Sequence, residues 1–116
     1  MKTFNRMAAQ GDIMLIKIDK LPDDIKQADS ENGQFIIAHS ETGHNHIVKE
    51  RPNVKFYKKD SMVSYLEVIE ATDSTETLLE HLRSFDTHET IKINPGIYEV
   101  RRQREYVPEG WRRVED

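Results

Sequence analysis

The sequence predicts a mainly β domain, a small antiparallel barrel or sandwich with one short peripheral helix. Short runs rich in β-branched and aromatic residues recur along the 116-residue chain, divided by turn clusters about every eight to twelve residues. Within several runs apolar and polar residues alternate, which is the pattern of a strand with one buried face. Only the stretch from Ser74 to Ser84 carries the cap and spacing of a helix.

Residues 1–9 are mixed in character and are expected to form a flexible arm. Gly11 launches the first strand, Asp12 to Asp19, in which Ile16 and Ile18 alternate with Lys17 and Asp19. Leu21-Pro22-Asp23-Asp24 ends it. Asp24 to Asp29 suits at most a helical turn on a surface excursion, closed by the cluster Ser30-Glu31-Asn32-Gly33. Gln34 to His39 and His46 to Lys49 read as two strands joined by Ser40-Glu41-Thr42-Gly43, so histidines flank a hairpin turn. After the break at Arg51-Pro52-Asn53 come a short strand, Val54 to Tyr57, and a longer one, Met62 to Ile69.

Asp73-Ser74-Thr75-Glu76 resembles a capping box, and Leu78, Leu79 and Leu82 form a helical stripe on which His81 faces solvent. Ile91 and Ile93 then alternate with Thr90 and Lys92. Pro95-Gly96 fits the centre of a type II turn, and the return strand should bury Tyr98 and Val100 while Arg101 points outward. This closing hairpin completes a single domain, 1–116, with Trp111 anchoring the last segment.

Composition narrows the chemistry. The chain has no cysteine, which excludes disulfides, thiolate catalysis and cysteine-based zinc sites. No apolar run approaches the ~20 residues that span a bilayer, and the N-terminus lacks a secretory apolar region, so a cytoplasmic protein without a membrane partner is expected. Net charge is -4, but unevenly spread: eight carboxylates against one arginine from Asp60 to Glu89, five arginines against two glutamates from Arg101 to Arg113. That polarity suits a homo-oligomer or docking on a protein partner, and a nucleic-acid partner is not expected.

The candidate site lies in HSETGHNHIVKE, His39 to Glu50. His44 and His46 stand two residues apart, on one face of a strand, about 7 Å apart along the backbone. Two imidazoles presented in this way suit a divalent metal ion such as zinc, manganese or iron, or an anionic ligand. His88, at the mouth of the closing hairpin, is the best third ligand, and Glu50 and His39 are further candidates. The plain alternative is that these histidines are polar turn surface. No general base stands out among Glu41, Glu50, Asp86 and Glu89. Arg102, Arg104 and Tyr106 offer a small cationic stripe for an anion, although internal or intersubunit salt bridges to the acidic stretch are the simpler use.

The segment GHNHIVKE resembles the first cupin motif, H-x-H-x(3)-E, which implies metal ligation by His44, His46 and Glu50. Three blocks, QGDIMLIKID at 10–19, TGHNH at 42–46 and HETIKINPGIYEVRRQREYVPE at 88–109, resemble a family of small bacterial and phage proteins to which no activity attaches. That resemblance places Gly43, His44, His46, His88, Gln103, Arg104, Glu105 and Tyr106 in one pattern. Two functions follow as expectations. The first is a β domain with a histidine-based metal or anion site. The second is a non-enzymatic phage or bacterial module that docks on a protein.

Overall fold

The computed structural model describes residues 3–39, 45–73, 75–81 and 90–102, and the backbone of Arg104–Val107 and Gly110–Arg113. The strands are β1 (Met7–Gln10), β2 (Ile13–Ile18), β3 (Lys26–Ala28), β4 (Gln34–Ala38), β5 (His46–Lys49), β6 (Val54–Lys58), β7 (Val63–Val68), β8 (Thr77–His81), β9 (Ile91–Ile93), β10 (Gly96–Arg102), β11 (Arg104–Val107) and β12 (Gly110–Arg113). All their pairings are antiparallel. One sheet has the order β1-β2-β10-β7-β6-β3, a second has β4-β5-β8-β9, and β11 pairs with β12. The orders are open, with β1 and β3 as edges of one sheet and β4 and β9 as edges of the other, so neither sheet closes into a barrel. Among the described residues no helix is long and apolar enough to cross a membrane.

The two larger sheets share one apolar cluster. Leu15, Phe56, Leu66, Tyr98 and Val100 come from the six-stranded sheet, and Phe35, Val48, Leu79, Ile91 and Ile93 from the four-stranded sheet. The Phe35 and Phe56 rings, 6.1 Å apart, join the two. Strand alternation selects these residues, because every second side chain of each strand turns to the same face. Tyr98 and Val100 are buried and Arg101 is exposed, as the alternation after Gly96 requires.

Several sequence expectations are corrected. The stretch expected as a helix holds β8 instead: Thr77, Leu79 and His81 are buried while Leu78 and Glu80 are half-buried, a period of two. Ser74 and residues 82–84 of that expected helix lie outside the described residues. Asp24 to Asp29, expected to make at most a helical turn, contributes β3, which pairs with β6. Residues 7–9 of the expected arm fall in β1, which pairs along its length with β2, and Phe4 packs edge-on against Tyr98.

The expected closing hairpin is not one, because β9 belongs to the four-stranded sheet and β10 to the six-stranded sheet. Asn94 and Pro95 carry the chain from one to the other. Gly96 begins β10 with φ +156°, and a Cβ there would sit 2.9 Å from Lys17 Cε. Glycine is the residue that adopts such a φ, whereas the Lys17 side chain can move aside. The Trp111 side chain lies outside the described residues.

Candidate functional site

At one end of the interior the inward-facing positions change from apolar to polar. β6 runs Val54, Phe56, Lys58 on its inner face; β7, read backward, runs Val68, Leu66, Ser64; β10 runs Tyr98, Val100, Arg102. Gln10 follows Ala8 on β1, His46 precedes Val48 on β5, and His81 follows Leu79 on β8. Strand pairing brings these ends together, since Arg102 pairs with Ile13, Ile13 with Gln10, and His46 with His81. The core therefore ends in a polar cluster.

Gln10, Asp12, His46 and His81 are all buried. Gly11, at φ +57°, opens a two-residue hairpin loop between β1 and β2, and Asp12 is its second residue. Gln10 Nε2 donates to the Leu79 carbonyl at 3.0 Å, which orients the amide and leaves Oε1 as the acceptor toward His46 Nδ1 at 2.9 Å. His46 Nε2 stands 3.2 Å from Asp12 Oδ1. Both ring nitrogens of His46 therefore face oxygen atoms, the Gln10 amide oxygen and a carboxylate oxygen of Asp12. Arg102 Nη1 donates to Asp12 Oδ2 at 3.1 Å and Nη2 to the His39 carbonyl at 2.5 Å. One buried carboxylate thus lies between an imidazole and a guanidinium. The His81 ring stacks on His46 with centroids 4.0 Å apart and planes 7° from parallel.

A cavity of about 480 Å³ adjoins this cluster on the Arg102 side. Its floor is apolar, from Ile37, Ala38, Phe56 and Val100, and its mouth carries Lys58, Lys59, Asp60 and Ser61. β4 reaches it through a bulge: Ile36 pairs with Ile47 and Ala38 with His46, so Ile37 is the extra residue. The bulge turns both Ile37 and Ala38 into buried positions beside the cavity, a frequent use of this irregularity next to binding sites. Three cations, Lys58, Lys59 and Arg102, face one carboxylate, Asp60, around the wall. Asp60 accepts from the Met62 and Val63 amides at 2.8 Å each, which holds its carboxyl below the usual carboxylate range and shapes the β6–β7 turn. Lys59 also lies 3.8 Å from the exposed Asp24, a weak surface contact.

Of the expected site residues, His46 is central. His44 and His88 lie outside the described residues, so the three-histidine grouping is not placed. His39 ends beside β4 with an exposed side chain, lines the cavity and gives its carbonyl to Arg102. Glu50 is exposed just beyond the far end of β5, four residues from His46, or about 13 Å along a strand. It does not join the cluster. His81, expected to face solvent, is buried against His46 because it lies on a strand rather than a helix. Arg102 ends β10 and Arg104 begins β11, in different sheets, so they do not share one strand face; the Arg104 and Tyr106 side chains lie outside the described residues.

For a metal, His46 would have to offer a nitrogen lone pair, and both its ring nitrogens are in contact with Gln10 and Asp12. The lone pairs of two parallel rings 4.0 Å apart also run side by side rather than converging at the ~2.0–2.1 Å of a zinc–nitrogen bond. Among the described residues no group of three or more histidine or carboxylate side chains is placed to hold a metal ion. The described geometry fits a hydrogen-bonded ion cluster. Gln10 and Asp12 were missed as site residues, although both sit in the QGD block; next to an apolar strand they read as a strand start.

These features define an all-β antiparallel domain with a polar cluster and a cationic cavity at one end of its core. Residues 9–103 match the model of a domain of unknown function, DUF8820, and the chain belongs to that family. The matched span contains every residue of the cluster and of the cavity wall. No curated protein and no solved structure matches the sequence.

Proposed function

We propose that this protein is a β-sandwich domain that binds a small anionic ligand in the cavity walled by Lys58, Lys59 and Arg102. The sandwich reading is supported by two open sheets with one shared core. The observation that carries the ligand reading is the change of inward phase at one end. There Lys58, Ser64 and Arg102 continue the core faces of three adjacent strands, and the wall carries three cations against one carboxylate. Asp12 and the His39 carbonyl hold Arg102 in place, so part of the ordering a ligand would otherwise impose is already present. The test is calorimetric titration of inorganic phosphate and sulfate into the full chain and into Lys58→Met, whose exposed side chain is not part of the core. Saturable binding that weakens in the variant supports the reading; no binding overturns it.

A divalent metal held by His44, His46 and His88 is the second reading. It is supported by the two-residue spacing of His44 and His46 in the sequence. Titration of zinc or manganese into untagged protein tests it. Stoichiometric binding that is lost in His46→Ala supports a metal, and no binding overturns it.

A further inference from the structure

We propose, resting on the anion-binding reading, that the ligand is an organic anion with an apolar body, its charged head at the mouth and its body on the cavity floor. Size comes first. A water molecule takes ~30 Å³ of liquid volume, and an inorganic oxyanion the space of only a few waters, whereas the cavity measures about 480 Å³. That volume lies within the range of sites for organic ligands, ~300–1,000 Å³.

The wall is also segregated by chemistry. Ile37, Ala38, Phe56 and Val100 are buried on the floor, while Lys58, Lys59 and Asp60 are exposed at the mouth. An inorganic anion would use the mouth and leave the floor covered only by water. A neutral apolar molecule would use the floor and make no use of the exposed Lys58 and Lys59 ammonium groups at the mouth. A molecule with both parts matches both surfaces, and its own apolar body leaves water on binding. The two side-chain levels are set by strand alternation, Phe56 below Lys58 on β6 and Val100 below Arg102 on β10. They are spaced by two residues, about 7 Å, which is the length of one aromatic ring with its anionic substituent.

The head can be a phosphate monoester or a carboxylate, and the test distinguishes them. Inorganic phosphate, phenyl phosphate, benzoate and benzyl alcohol are titrated into the full chain by calorimetry, and into Lys58→Met with its fold checked by circular dichroism. The expected result is that phenyl phosphate or benzoate binds about tenfold or more tightly than inorganic phosphate, the equivalent of one buried ring's apolar surface. Binding of either should weaken in Lys58→Met. Whichever of the two binds tighter identifies the head. Equal affinity for inorganic phosphate and both organic anions overturns the inference and leaves the anion site standing. Binding of benzyl alcohol as tightly as the anions, or no binding of any probe, overturns both.

Discussion

Replacing Asp12 with alanine removes a carboxylate that, among the described residues, bridges His46 and Arg102, and the loss should be large. The His46 side chain is 0% exposed, Asp12 3% and Arg102 11%. Removing one partner of a buried ion pair typically costs ~3–5 kcal/mol, because the surviving charge stays desolvated without its counterpart. Unfolding entropy of ~2.1 cal/mol/K per residue, over 116 residues, converts that cost into a melting temperature lower by about 12–20 °C. Asp12→Asn should lose clearly less. Its amide can still hydrogen-bond to His46 Nε2 while Nδ1 keeps its bond to Gln10, so neither ring nitrogen loses its described partner. Arg102 would still face a carbonyl oxygen rather than a carboxylate, a weaker acceptor. The assay is urea unfolding of the three proteins at one pH, read as midpoint at constant slope, with melting followed in parallel. If Asp12→Ala loses less than about 1 kcal/mol, or if the asparagine and alanine variants fall together, the ion-cluster argument is wrong.

Gln10→Leu removes the described partner of both His46 Nδ1 and the Leu79 carbonyl, and should lower stability by about 1–3 kcal/mol in urea unfolding, an effect a conservative surface change would not produce. Tyr98→Phe deletes the hydroxyl that donates to the Asn94 carbonyl at 2.6 Å, where the chain crosses between sheets, and should cost about 0.5–1.5 kcal/mol by the same measurement. The phenols of Tyr57, Tyr65 and Tyr98 are all pushed up from their ordinary value of 10.0, by burial first, and for Tyr65 and Tyr57 next by Glu99 and Glu67. Because the folded values lie above the unfolded one, their stabilisation is complete below pH 10 and is lost as pH rises from there through the folded values. Ultraviolet titration should show late ionisation that becomes normal in denaturant, and unfolding midpoints should fall above that pH.

The histidine-rich stretch was legible as the place to look for a site, and His46 does sit at the centre of the cluster. Its neighbours were not legible. Gln10 and Asp12 reach His46 across 36 and 34 residues of chain, and no local pattern reports a contact of that separation. Glu50 had the opposite fate, since nearness in sequence along a strand is distance in space.

The strands and their inward phases were determined by the sequence alone wherever alternation is strict. Tyr98, Val100 and Arg102 on one side against Arg101 on the other needed nothing beyond the two-residue period of a strand. Where a run was short and held few apolar residues, the sequence did not decide. Leu78, Leu79 and Leu82 fit a helical stripe as well as a strand, and pairing of Leu79 with both Val48 and Ile91 settled that stretch as β8. Sheet membership was likewise a matter for the tertiary structure. Pro95-Gly96 permits a hairpin turn, but the hydrogen-bonded neighbours of β9 and β10 are β8 in one sheet and β2 and β7 in the other. The reason is physical: alternation is set within a few residues by backbone geometry, whereas partners across and between sheets are chosen by burial of distant side chains against one another.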